Sequence, residues 1–175
     1  MSRIQLKKYV KSLKKAELEE QLMDLYDRFS QVKTYYDFGF NPREDKLVDE
    51  CKQKIYKEYF PEGKRRPKAR RSVAQKYIKH FQALGLDPVL LAEVMCFNLE
   101  IAQRFAAEKP PRQAAFYKSM HVSFNEFIAH CTYHGLLPEM RPRMVRLAET
   151  AVELGWHNAD RFTASMANAL KKAMP

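Results

Sequence analysis

Leu18, Leu22, Leu25, Phe29, Val32 and Tyr36 recur at steps of four, three, four, three and four. That spacing returns a side chain to the same side of a helix at nearly every turn, and it predicts one long amphipathic helix over about 15–36. The same rhythm continues down the chain. Leu47, Val48, Cys51, Ile55 and Tyr59 mark a helix over about 44–59, and Val73, Tyr77, Ile78, Phe81 and Leu84 mark another after it. Nowhere does the period-two alternation of a half-buried strand persist.

Local signals bound these helices. Ser2 followed by Gln5 fits a capping box before a short helix over about 3–11. Asn41-Pro42 stops the long helix, and Pro61 with Gly63 stops the next. Ser72 reads as the cap of a helix running to Leu84. Asp87-Pro88 opens a helix to about Ala107 that is apolar on more than one face, with Leu90, Leu91, Val94, Met95, Phe97, Ile101 and Phe105, and this predicts the central buried helix. AlaLeuGly at 83–85, TyrHisGly at 133–135 and GluLeuGly at 153–155 each precede an apolar residue, as expected of glycine C-caps. The expected fold is all-α: about seven helices in antiparallel hairpin pairs, forming a repeat-like, α-solenoid-like array or a compact bundle. The expected organisation is a single domain over 1–175, with a connector at 61–71 between helical parts 1–60 and 72–175.

With 175 residues, 46% of them hydrophobic, the chain can bury a core without disulfides or metals. Cys51, Cys96 and Cys131 are odd in number, far apart and embedded in amphipathic segments, so they read as small core residues of a reducing compartment, and the expected location is cytoplasmic. No continuous apolar run is long enough to cross a membrane, and no membrane partner is expected.

Charge is sharply localised. The net charge is +10. Arg3, Lys7, Lys8, Lys11, Lys14 and Lys15 form one acid-free cluster; Lys64, Arg65, Arg66, Lys68, Arg70 and Arg71 form another. The rest of the chain holds 19 basic and 21 acidic residues, a nearly neutral body. Two dense clusters create local potentials that attract a polyanion. Lys64, Arg65, Arg66, Lys68, Arg70 and Arg71, with Lys7, Lys8 and Lys11, are therefore the candidate nucleic-acid or polyanion site, and Tyr35 and Tyr36 are candidate stacking faces for bases. The alternative is a solvated connector neutralised by acids on adjacent helices.

Enzymatic signatures are sparse. No phosphate-cradling glycine loop and no nucleophile elbow occurs, and no catalytic residue, cofactor or small-molecule substrate is indicated. Glu126, His130 and His134, at steps of four, are the one metal-ligand pattern, but the glutamate is misplaced for a zinc-protease motif. The same spacing fits a histidine that caps a helix end or closes the core, with His134 on the Phe124/Phe127 side. The favoured class is a non-enzymatic protein-interaction scaffold, whose partner or second copy would meet apolar surface on the central helix or around Trp156.

The run LKKYVKSLKKAELEEQLMDLYDRFSQVKTYYDFGFNPREDKL, then RRPKARRSVAQKYIKHF, FYKSM and ELGW, resembles an uncharacterised bacterial family of domain-of-unknown-function proteins. The resemblance implies a small all-helical protein and brings no activity or ligand. LysProProArgGln at 109–113 departs from the polar Gly-Asp loop the family would place there.

Overall fold

The computed structural model describes residues 2–172. These residues form helices and no strand, so the all-α expectation holds. The helices are α1 (Arg3–Ser12), α2 (Lys15–Arg28), α3 (Ser30–Phe40), α4 (Glu44–Tyr59), α5 (Arg71–Leu84), α6 (Pro88–Glu108), α7 (Ala114–Tyr133), α8 (Leu137–Glu153) and α9 (Ala159–Lys172). Among the described residues there are nine helices rather than about seven. The chain divides into two compact units, Met1–Arg43 and Glu44–Pro175.

In the first unit the Ser2–Gln5 capping box forms on both sides, side chain to backbone and back. The single helix expected over 15–36 is broken at Phe29, whose backbone is extended at φ −119°, ψ 109°. No glycine or proline marks this corner. What holds it is a contact between residues eleven apart, the Tyr26 hydroxyl donating to Asp37 Oδ1 at 2.8 Å, with Lys33 Nζ 5.6 Å from the Tyr26 ring centre. A straight helix would separate positions 26 and 37 by about 16 Å of axis. The apolar stripe is thereby split between α2 and α3, which pack on each other.

The second unit is organised by α6. Twelve of its residues are buried, from Leu91 to Ala106, and it packs against α4, α5, α7 and α8. A linear repeat array would place each helix mainly on its sequence neighbours. Here α4 packs on α6 past α5, and α7 on α9 past α8, so this unit is a bundle wrapped around one helix. Cys51, Cys96 and Cys131 are unpaired and fully buried, as small core residues. Burial pushes the thiols of Cys51 and Cys131 up to about 12. Trp156, expected as partner surface, is instead 6% exposed. It meets Phe116, Tyr117 and Phe162 edge-on, and so closes the core between α7 and α9.

The three glycine stops repeat one hydrogen-bond pattern. Leu86 N donates to Phe81 O at 3.0 Å, Leu136 N to Cys131 O at 2.8 Å and Trp156 N to Ala151 O at 3.0 Å. The preceding glycine N–H of each reaches back three residues, to Gln82, Thr132 or Val152. This is the Schellman arrangement, which satisfies carbonyls that a helix end leaves unpaired. Asp87, the N-cap of α6, accepts from Val89 N and Leu90 N as expected.

Gly155 has φ +63°, and nothing lies within 4 Å of a Cβ placed there. Gly155→Ala should therefore cost about 1 kcal/mol from backbone strain alone. Gly39, inside α3 and equally uncrowded, should gain a few tenths to about 1 kcal/mol when replaced by alanine. Chemical denaturation of the two variants checks the pair, and equal shifts would contradict this reading.

Candidate functional site

Residues 60–70 join α4 to α5, and this segment is pinned rather than loose. Glu58, in the last turn of α4, holds it twice. Its carbonyl accepts from the backbone N–H groups of Lys68 and Ala69, both at 3.0 Å. Its carboxylate takes a two-pronged bond from Arg70, Nε to Oε2 and Nη2 to Oε1, both at 2.9 Å. Parallel guanidinium–carboxylate bonds of this kind fix orientation as well as charge. The return bends the chain hard enough that Ala69 sits at φ +47°, the one described non-glycine residue with positive φ. The Arg70 hydrogen bond holds the Glu58 carboxyl below the usual carboxylate range, against the opposing effect of its burial.

Arg71 is turned the other way, into the bundle. Its Nε donates to Ser123 Oγ at 2.7 Å and its Nη2 to Glu126 Oε2 at 2.6 Å, while Gln75 Nε2 donates to the same carboxylate oxygen at 2.8 Å. Helix α5 consequently starts at Arg71, with Arg70 as its N-cap and no side-chain capping bond. The expected Ser72 cap does not form, because the arginine before it is held by α7 and draws the first turn forward.

The six-cation cluster thus separates into two kinds. Arg70 and Arg71 tie the connector to α4 and to α7. Lys64, Arg65, Arg66 and Lys68 are exposed, and no ion pair engages them among the described residues. Arg65, Arg66 and Lys68, with Lys57, Glu58, Pro61, Glu62 and Pro67, line an open cleft of about 560 Å³. Glu62 in this cleft is paired with Lys57 at 3.0 Å. Lys7, Lys8 and Lys11 are exposed along α1. Tyr35 is 53% exposed and meets Tyr36 edge-on at 5.5 Å. Tyr36 is half-buried and stacks on Phe40 at 6.4 Å.

Glu126 and the two histidines do not assemble as ligands. The Glu126 carboxylate is engaged by Arg71 and Gln75, and His130 Nε2 lies 2.8 Å from Pro88 O, a bond only the protonated nitrogen makes. Burial lowers the His130 pKa, partly opposed by that bond to the carbonyl. His130 is the histidine that closes the core, tying α7 to the start of α6, whereas His134 is the exposed C-cap of α7. Among the described residues, no three of His, Cys, Asp or Glu are grouped to hold a metal ion. The spacing of four was readable; the arginine that occupies Glu126 comes from 55 residues away and leaves no mark in the local pattern.

A second ion network joins α4, α6 and α8. Arg143 of α8 donates to both oxygens of Glu100, at 3.0 and 2.9 Å, and also to Glu93. Lys52 of α4 reaches Glu93 at 3.7 Å. Three helices are joined through two carboxylates of α6, and these groups are saturated by one another.

Most of the exposed large apolar side chains among the described residues lie elsewhere. No residue from 2 to 43 is buried. Among the described residues, eleven of the fifteen exposed large hydrophobic side chains fall in this stretch, from Ile4 at 72% to Phe40 at 80%. Sequence periodicity located four of these side chains, Leu18, Leu22, Leu25 and Phe29, as part of one amphipathic stripe.

Two measurements separate the cations. Arg71→Ala should lower stability by about 1–3 kcal/mol, because it leaves part-buried partners unsatisfied, whereas Arg65→Ala and Arg66→Ala should stay within about 0.5 kcal/mol. The depressed Glu58 carboxyl contributes stability that is complete above the ordinary carboxylate pKa and is lost as pH falls through its lower folded value. Glu58→Gln should therefore flatten the acid side of the stability–pH curve, read by thermal melts from neutral pH downward.

No curated protein and no solved structure matches the chain. Among the described residues, no helix is long and apolar enough to cross a membrane. A family match covers residues 1–169, nearly the whole sequence and both compact units, and on that match the chain belongs to the family described as Family of unknown function (DUF6155).

Proposed function

We propose that this protein is a non-enzymatic interaction module: a six-helix unit, α4 to α9, that carries an interaction arm formed by α1 to α3. The supporting observation is the distribution of apolar surface. Monomeric proteins seldom leave many large hydrophobic side chains exposed together, and such surface marks association. Within residues 2–43 nothing is buried while eleven large apolar side chains face outward, and among the described residues outside that stretch only Tyr56, Val122, Tyr133 and Val152 do so. The chain functions as one piece in this reading, and three buried free thiols favour the cytoplasm.

A photo-crosslinking residue at Met23, 56% exposed in α2, should give a discrete protein adduct in the native cell, and one at Tyr133, 85% exposed on the other unit, should give none. A chain that forms no adduct from either Met23 or Leu25 does not use this arm.

A second reading concerns Lys64, Arg65, Arg66 and Lys68, exposed cations that no carboxylate among the described residues pairs, beside a cleft large enough for a phosphate group. It assigns sequence-tolerant contact with a polyanion backbone to the connector. Binding to single-stranded DNA or RNA should fall steeply with salt. Replacing these four residues by glutamine should weaken it and lower the salt slope by roughly one for each phosphate no longer neutralised, without changing the melting temperature. Unchanged binding removes the connector from consideration.

A further inference from the structure

We infer that the partner of the arm is a second copy of this chain, in a two-fold pairing that lays α1 of each copy along α2 of the other. This rests on the reading of α1 to α3 as an interaction arm and goes further by naming the occupant.

The argument is one of charge. Residues 3–15 carry six cations and no acid, while residues 16–27 carry Glu17, Glu19, Glu20, Asp24 and Asp27 and no cation. Sign therefore changes abruptly at the junction of α1 and α2. Within the chain the two runs meet in a single ion pair among the described residues, Lys15–Glu19, which lies inside α2 as does Arg28–Asp24, and no ion pair among the described residues joins α1 to α2. Helix α1 meets α2 of its own chain where the Gln21 side-chain amide donates to the Tyr9 hydroxyl at 2.6 Å, and both helices still present apolar side chains to solvent, Leu6 and Val10 on α1, and Leu18, Leu22 and Leu25 on α2.

Part of the charge borders these apolar strips: on α1, Arg3, Lys7 and Lys11 lie on the Val10 side of the strip and Lys8 faces away from it, and on α2, Glu20 and Asp27 face away. At 100° per residue, Glu19 lies on one flank of the Leu18–Leu22–Leu25 stripe and Glu17 and Asp24 on the other. A hydrophobic stripe rimmed by carboxylates needs a partner that is apolar at its centre and basic at its margin. The basic run Arg3–Lys11 extends about 12 Å along its helix and the acidic run Glu17–Asp27 about 15 Å, so the two match in length. Pairing α2 with α2 would set two rows of carboxylates side by side, and pairing α1 with α1 would do the same with cations. A two-fold axis that exchanges α1 and α2 avoids both, since an isologous interface makes every contact twice. An unrelated partner would have to supply a basic strip and an acidic strip in the same order; a second copy already has them.

Sedimentation of the full, nuclease-treated chain at low salt should give twice the chain mass of 20.6 kDa, falling toward one copy as salt rises. The variant Lys7→Glu/Lys8→Glu/Lys11→Glu should dissociate at least about ten-fold more readily, and so should Glu19→Lys/Glu20→Lys/Asp24→Lys. Mixed in equal amounts, the two variants should recover the dimer, because both junctions of the mixed pair are again attractive. A single-copy mass at every concentration, a dimer indifferent to both charge reversals, or failure of the mixture to recover would overturn the pairing. So would a higher mass that disappears on nuclease treatment, which would give α1 to nucleic acid. A monomer that still forms a Met23 adduct with another protein overturns the second copy and leaves the arm standing, whereas a monomer with no adduct removes both.

Discussion

Everything in the second unit depends on enclosing α6. This helix has apolar side chains around most of its circumference, and a helix of that kind is stable in water only when neighbours cover it on all sides. Four helices do so, and their contacts explain why the bundle is not a row of hairpins. The polar groups that α6 does carry are placed where covering helices can meet them. Glu93 and Glu100 receive Arg143 from α8, and Lys52 from α4 reaches Glu93. Gln103, 5% exposed, donates to Leu147 O at 2.6 Å. The ion network adds directional contacts to a core whose close packing already sets how the helices sit.

The connector shows how composition and geometry diverge. Six cations in eight positions look alike in the sequence. In the fold Arg70 and Arg71 point to different helices and find different acids, and what is left for an outside partner is the smaller set from Lys64 to Lys68. Arginine suits the structural task because its planar fork satisfies two acceptors at once.

Legibility in the sequence followed the range of the interaction responsible. The Ser2 box, the Asp87 cap and the glycine stops at 85, 135 and 155 are settled by residues within a few positions of one another, and all were readable. The burial of α6 was readable because apolar residues surround its axis. The corner at Phe29 was not, because it answers to Tyr26 meeting Asp37 and no breaking residue stands there. Neither was the start of α5, set by Ser123 and Glu126 more than fifty residues away. The burial of His130 was not readable for the same reason, since it rests against the carbonyl of Pro88, 42 positions distant. At the candidate surfaces the sequence supplied the charges and the apolar side chains, while their pairing, and hence their availability, was decided by the fold.

The grip of Glu58 on the connector also bears on chain entropy. To pack α4 on α6, the chain must bring together segments separated by residues 60–87, and the entropy of closing such a loop rises with the length of free chain inside it, by about 0.6 kcal/mol per doubling. Binding Lys68, Ala69 and Arg70 back to residue 58 closes the first part of that loop against the end of α4, and α5 fills most of the remainder as a rigid rod. The connector therefore acts as a short hinge of fixed reach, and the search that seats α5 and α6 on α4 is made by two jointed helices instead of by a free coil.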